Sequence, residues 1–204
     1  TGAAHAPHQV TEEWVEPYHG AFDDGWEAWR ETVFAHQVAA GVVPADTVLT
    51  PRPAWVPEWS SLPAEQRRLF ARYMEVYAGF VTHTDHHLGR LFDALEERGI
   101  ADDTIVMVLS DNGASAEGGV SGTLNEAAGW LGHQEDVAAS YERIDEIGGH
   151  DAYNHYPFGW AWAGNTPLRL WKRYAWLGGV RTPLVVSWGA KVADPGAVRG
   201  QFCH

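Results

Sequence analysis

The stretch Thr104-Ile-Val-Met-Val-Leu109, which stops abruptly at Ser110-Asp-Asn-Gly113, decides how the rest of the chain is read. Six residues without a charge, four of them β-branched, predict a fully buried strand. An acid, an amide and a glycine at the carboxyl end of such a strand stand where open α/β sheets place ligand chemistry. The same residues also make an ordinary tight turn, and read alone they favour the turn.

Upstream of the strand, Ser60 and Ser61 offer caps, Pro63 suits a first helical turn, and Glu65 suits the positive end of a helix dipole. Leu69, Tyr73, Val76, Phe80, Thr84, Leu88, Leu91 and Leu95 then recur at spacings of three and four. The spacing predicts one long amphipathic helix that ends near Arg98-Gly99, where glycine can take a left-handed cap. Downstream, Leu184-Val-Val-Ser-Trp188 reads as a second strand. Helix, buried strand, long insertion and second strand predict an α/β sheet covered by helices. Two strands cannot complete such a sheet, so more strands are expected outside these residues.

The remaining segments are less regular. Residues 11–36 carry a partly helical pattern through Trp26, Trp29, Val33 and Phe34, and residues 42–60, with Pro44, Pro51, Pro53 and Pro57, read as extended loop. From Gly113 to Pro167 the chain is rich in glycine, alanine and polar residues, with one helical stretch around Glu135–Ile147. A loop of that length is usually functional or partly disordered.

Composition bounds the partners. With 14 Lys and Arg against 27 Asp and Glu, the formal charge of −13 over 204 residues disfavours nucleic acid and anionic membranes, both of which would be repelled. An anionic substrate needs local positive charge. No run is long and apolar enough for a transmembrane segment. Cys203 is the only cysteine, so no intrachain disulfide forms. The chain does not begin with Met, lacks a signal-peptide pattern and is expected to be an internal fragment.

Asp111 and Asn112 offer two hard oxygen ligands, suited to Ca²⁺ or Mg²⁺, but a calcium site takes roughly six to eight oxygens. His5-Ala-Pro-His8 sets two imidazoles beside a proline that restrains the loop, which suits proton donation or contact with an anion. His83 and His87 lie one helical turn apart with His86 and Asp85 among them, and read mainly as a helix face. Lys172 precedes Leu177-Gly-Gly-Val-Arg-Thr-Pro183, where close backbone approach would let a lysine clamp an anionic oxygen. Arg169, Arg173 and Arg181 make this the basic patch of an acidic chain. Among 11 tryptophans, Trp160, Trp162, Trp171 and Trp176 cluster beside it and could hold a sugar or aryl group, although most tryptophans serve as core. Cys203 reads as a small hydrophobe rather than a nucleophile.

Taken together, Thr1-Gly-Ala-Ala-His-Ala-Pro-His8, Phe22-Asp-Asp-Gly-Trp26, Met74-Glu-Val-Tyr-Ala-Gly-Phe80, Asp85-His-His-Leu-Gly-Arg90, Leu109-Ser-Asp-Asn-Gly113, Asn165-Thr-Pro167, Lys172 and Gly178-Gly-Val-Arg-Thr-Pro183 resemble, in order, the type I sulfatase or arylsulfatase family of the alkaline-phosphatase superfamily. The resemblance implies an alkaline-phosphatase-like α/β fold with a central sheet flanked by helices, incomplete here, with residues 1–204 part of a single catalytic domain. It implies a calcium-dependent hydrolase of small sulfate monoesters, whose nucleophile is a formylglycine made from a cysteine or serine in a Cys/Ser-x-Pro-x-Arg motif. Asp111 and Asn112 match the pair that completes the Ca²⁺ site with two amino-terminal acids. His5 matches the histidine that contacts or protonates the ester oxygen, and Lys172 the lysine that holds the sulfate.

Neither the nucleophile motif nor the amino-terminal acid pair occurs in this chain, so residues 1–204 alone are expected to be inactive. Trp176-Leu177 also stands where relatives often carry a polar pair such as His-Glu. Two alternatives remain: a phosphonate or phosphate monoester hydrolase of the same superfamily, and a non-catalytic module that binds sulfated glycans.

Overall fold

A computed structural model describes residues 4–203; Thr1, Gly2 and Ala3 of the amino-terminal motif, and His204, lie outside the described residues. In chain order the elements are α1 (Glu12–Val15), α2 (Gly25–Ala39), α3 (Ala64–Glu97), β1 (Val106–Leu109), α4 (Glu126–Trp130), α5 (Val137–Glu142), α6 (Phe158–Gly164), α7 (Leu177–Val180) and β2 (Leu184–Ser187). The architecture is mixed helix and strand, with one small antiparallel sheet.

The long helix forms as its spacing predicts, and Gly99 closes it at φ 66°. Its start differs from the sequence reading. Trp59–Ser61 forms a separate 3-10 turn, Ser61 Oγ donates to the Glu58 carbonyl at 2.7 Å, and Pro63 precedes the first helical residue without a side-chain cap. Only the amino-terminal half is deeply packed: residues 69–76 are all buried, whereas Leu91 is exposed.

The core sits between that half of α3, α2 and α6, and it is aromatic. Trp26, Trp59 and Trp160 pack mutually edge to face at centroid distances of 4.8, 5.6 and 5.8 Å. Edge-to-face contact sets the positive ring edge against a negative ring face, and each indole N–H must still find an acceptor. Trp160 donates to the Phe70 carbonyl at 2.8 Å, Trp26 to Pro57 at 3.1 Å and Trp59 to Asp23 at 2.9 Å. Gly159 permits the closeness of α6 to α2, since a Cβ there would lie 2.5 Å from the Trp26 ring.

The strand β1 corrects the expectation of full burial. It is shorter than the apolar run, and among the described residues both of its faces are open: Met107 is 59 % exposed on one and Val108 39 % on the other. Among the described residues its one neighbour is β2, with Val106 opposite Ser187 and Leu109 opposite Leu184, and β2 is exposed along its whole length. An apolar run is buried only where layers cover both faces. Here the pair forms an antiparallel ribbon that projects from the helical core. The segment from Gly113 to Pro167, read as mostly loop, contains α4, α5 and α6 and folds back on itself through bridges of Thr123 with His155 and Asn125 with Tyr153.

Candidate functional site

The turn after β1 is tied to the glycine loop before β2. Gly113 donates its N–H to the Gly179 carbonyl at 3.1 Å, and Thr182 Oγ1 donates to the Ser110 carbonyl at 2.7 Å. Glycine is required at 113, because a Cβ there would fall 1.7 Å from the Gly178 oxygen. The next residue anchors the lysine: Lys172 N–H donates to the Ala114 carbonyl at 3.0 Å. Asn165 holds both sides, accepting from Ala114 N–H at 2.9 Å and donating to the Leu170 carbonyl at 3.0 Å. Two segments far apart in sequence, Ser110–Ala114 and Asn165–Gly179, therefore converge.

Lys172 projects from a short stretch of constrained backbone. Leu170 and Arg173, which flank it, have φ of 63° and 81°, a left-handed conformation that side chains disfavour. Trp171 is buried and stacks on Phe158 at 5.5 Å, fixing the base of the loop. Beneath it, Arg30 of α2 is buried and donates to the carbonyls of Trp162 at 2.8 Å and Pro167 at 2.9 Å and to Thr50 Oγ1 at 2.6 Å. Its guanidinium also lies over the Trp162 ring at 4.5 Å. Burial brings its pKa down to about 10, which still leaves it charged at neutral pH.

The Lys172 ammonium forms an ion pair with Glu117 at 3.0 Å, with both side chains about four-fifths buried. Around the pair stand Ser115, Glu126, His155 and His5. His155 is buried; its Nδ1 pairs with the Tyr156 carbonyl at 3.0 Å and so carries the proton, leaving Nε2 to accept from Ser115 Oγ at 3.0 Å. Burial pushes the His155 pKa down, while its bond to the Tyr156 carbonyl and the Glu117 carboxylate oppose that shift. Glu126 is buried with Oε2 unpartnered among the described residues, and burial, then Glu117, raises its carboxyl above the usual range, with His5 and Lys172 pulling the other way. His5 and Lys172 thus bear on the same two groups.

The two amino-terminal imidazoles have different surroundings. His5 is exposed, its Nδ1 2.8 Å from the Ala6 carbonyl. His8 is buried against Tyr77, Tyr156 and His155, and burial, then His155, drives its pKa well down. His8 is a neutral core residue. His5 is the one that can meet a ligand.

Asp111 is exposed, with no hydrogen bond or ion pair among the described residues. The Asn112 amide donates to the Gly113 carbonyl at 3.0 Å, which leaves Oδ1 free to bind. Two uncommitted hard oxygens fit a calcium ion as partial ligands, and no group of three or more His, Cys, Asp or Glu completes a cage among the described residues.

Other sequence candidates are not brought here. Trp160 and Trp162 are core. Trp176, half exposed under the Arg169 guanidinium at 4.0 Å, lines a separate open groove with Arg52 and Trp55. His83, His86 and His87 remain on α3 beside Trp14. Sequence reading missed Ser115, Glu117, Glu126, His155 and Arg30. The one signal available was that Ser115 and Glu117 follow the Asp111-Asn112 turn within six residues.

A strand-end acid and amide joined through tight glycines to one buried-stem lysine define an α/β protein organised around a polar turn. The chain belongs to the sulfatase family, whose model, described as Sulfatase, matches residues 1–201. It is 30 % identical over 187 residues to an uncharacterized sulfatase of Schizosaccharomyces pombe, covering 91 % of this chain and 33 % of that protein. It is 29 % identical over 187 residues to an arylsulfatase of Klebsiella aerogenes, covering 91 % of this chain and 38 % of the relative. The chain spans about a third of the length of these relatives. No described helix is long and apolar enough to cross a membrane.

Proposed function

We propose that this chain is part of a single catalytic domain that hydrolyses small sulfate monoesters of the arylsulfatase type. The observation that carries the reading is the convergence of the Asp111-Asn112 turn with Lys172 through Ala114 and Gly179, in a chain that matches the sulfatase family. In this reading Lys172 binds the sulfate oxygens and opposes the negative charge that builds on them as the S–O ester bond breaks. His5 gives a proton to the departing ester oxygen and regains it from solvent. Asp111 and Asn112 supply two ligands to Ca²⁺, which when bound adds positive charge beside the sulfate. The formylglycine nucleophile belongs to a motif that these residues do not contain.

The test is turnover of p-nitrophenyl sulfate by the full-length protein. Asp111→Ala and calcium chelation should each lower kcat/KM by roughly a hundredfold or more. Full activity in Asp111→Ala would remove the site assignment, and turnover by residues 1–204 alone would contradict the need for an external nucleophile. A phosphate or phosphonate ester hydrolase would use similar clamps, and comparing aryl sulfate with aryl phosphate decides between them. A glycan-binding module finds less support, because Trp160 and Trp162 are buried in the core.

A further inference from the structure

The ion pair between Lys172 and Glu117 has a consequence for substrate charge. A lysine meant only to attract anions needs no carboxylate, yet Glu117 Oε1 stands 3.0 Å from its ammonium. The pair is about four-fifths buried, where solvent screening is weak and a charge is felt over several ångströms. A second carboxyl, Glu126, is buried nearby with one oxygen unpartnered among the described residues. After burial, the Glu117 carboxylate is among the causes that raise Glu126 and Tyr156 and oppose the lowering of His155.

We propose that Glu117 is a specificity-determining residue: paired with Lys172, its carboxylate reduces the positive charge offered to the ester and favours singly charged esters over doubly charged ones. The inference rests on the assignment of Lys172 to the sulfate. A sulfate monoester carries one negative charge, whereas a phosphate monoester carries about −1.5 to −2 at neutral pH. The surplus charge of the phosphate meets the Glu117 carboxylate as a like charge in a poorly screened site, and specificity follows from that repulsion. The tetrahedral shapes are alike, so charge is the feature left to discriminate.

In the full-length protein, Glu117→Gln keeps the size of the side chain and removes its charge. The ratio of kcat/KM for p-nitrophenyl phosphate to that for p-nitrophenyl sulfate should rise about tenfold, from loss of one unit charge a few ångströms away. Glu117→Asp, which keeps the charge, should leave the ratio within about twofold. An aryl phosphonate monoester, singly charged like the sulfate, should shift little against sulfate in either variant. A purely structural role for Glu117 would lower all three substrates together.

A second measurement needs no variant. In the wild-type protein the phosphate-to-sulfate ratio should fall as pH rises from 5 to 8, because the phosphate ester acquires its second charge near pH 6 while the enzyme's own titrations cancel in the ratio. A flat ratio, or an unchanged ratio in folded Glu117→Gln, would overturn the inference while leaving sulfate hydrolysis standing. Wild-type protein without aryl sulfate turnover would overturn both.

Discussion

The aromatic core and the β1–β2 ribbon are similarly apolar in sequence but opposite in environment. Trp26, Trp160 and Leu69 are all but inaccessible, while Met107, Leu109 and Val185 are about three-fifths exposed. The difference is one of partners. Around Trp160, three elements meet and the indole N–H groups of Trp26, Trp59 and Trp160 each have an acceptor; along the ribbon, among the described residues, each strand has one neighbour and no covering layer. Apolar character therefore states what a segment will bury if offered a surface, and only the rest of the fold says whether one is offered. The candidate site lies on the seam between these regions, with Asp111 at the ribbon's end and Lys172 rooted in the core by Trp171.

The seam is where the comparison breaks most sharply. Arg30→Ala should destabilise the protein by about 3–5 kcal/mol, since it removes charge-assisted hydrogen bonds to three carbonyls and the cation over Trp162 and leaves a cavity in their place. Urea unfolding followed by tryptophan fluorescence measures this. Activity should fall as well, because the loop at 165–168 also positions Ala114 and Lys172. A loss under 1 kcal/mol would mean that the core does not support the site. Within the core, Trp160→Phe keeps an aromatic ring but loses the indole bond to the Phe70 carbonyl and part of the packed volume, and should cost about 1–3 kcal/mol.

The core should also be the acid-sensitive region. His8 and His155 have folded pKa values below their unfolded ones, so the unfolded chain binds more protons as pH drops. Their contribution to stability is complete above about pH 6.5 and is lost as pH falls toward the folded values, by up to about 1.4 kcal/mol per pH unit for each histidine. Urea midpoints between pH 7 and 5.5 should decline, and the decline should be shallower in His8→Gln. An identical slope in both proteins would show that His8 is not buried neutral.

The legible parts of the molecule are those fixed by local pattern. The spacing from Leu69 to Leu95 gives the long helix because every third or fourth side chain lies on one face, and the charge-free run before Ser110 gives the strand. Asp111, Asn112, His5 and Lys172 stand out because the order of short motifs is specific even where each motif is weak. Burial of β1 is not legible, since it depends on layers that the strand's own residues do not encode. Glu117, Glu126 and His155 are hidden for another reason. Residues 113–167 have no hydrophobic period, and the long-range bridges at Thr123 and Asn125 decide which of their polar groups meet. Arg30 is invisible within α2 because a buried arginine looks like a surface one until the carbonyls it serves are in place.

The smallest effect belongs to the ribbon. Met107 lies on β1 opposite Val186, more than half exposed, so Met107→Thr replaces a flexible apolar chain by a polar β-former. On an open face the change should shift stability by less than about 0.5 kcal/mol, since surface substitutions away from special features do little. Urea unfolding of residues 1–204 makes the measurement, with Val185→Thr as a second probe on the other strand. A cost of about 2 kcal/mol or more at either position would place the side chain in a packed interior, because only buried apolar groups lose that much on becoming polar. That outcome would turn the ribbon into a second core, and the seam carrying Asp111 and Lys172 would then run between two buried layers instead of along the edge of one.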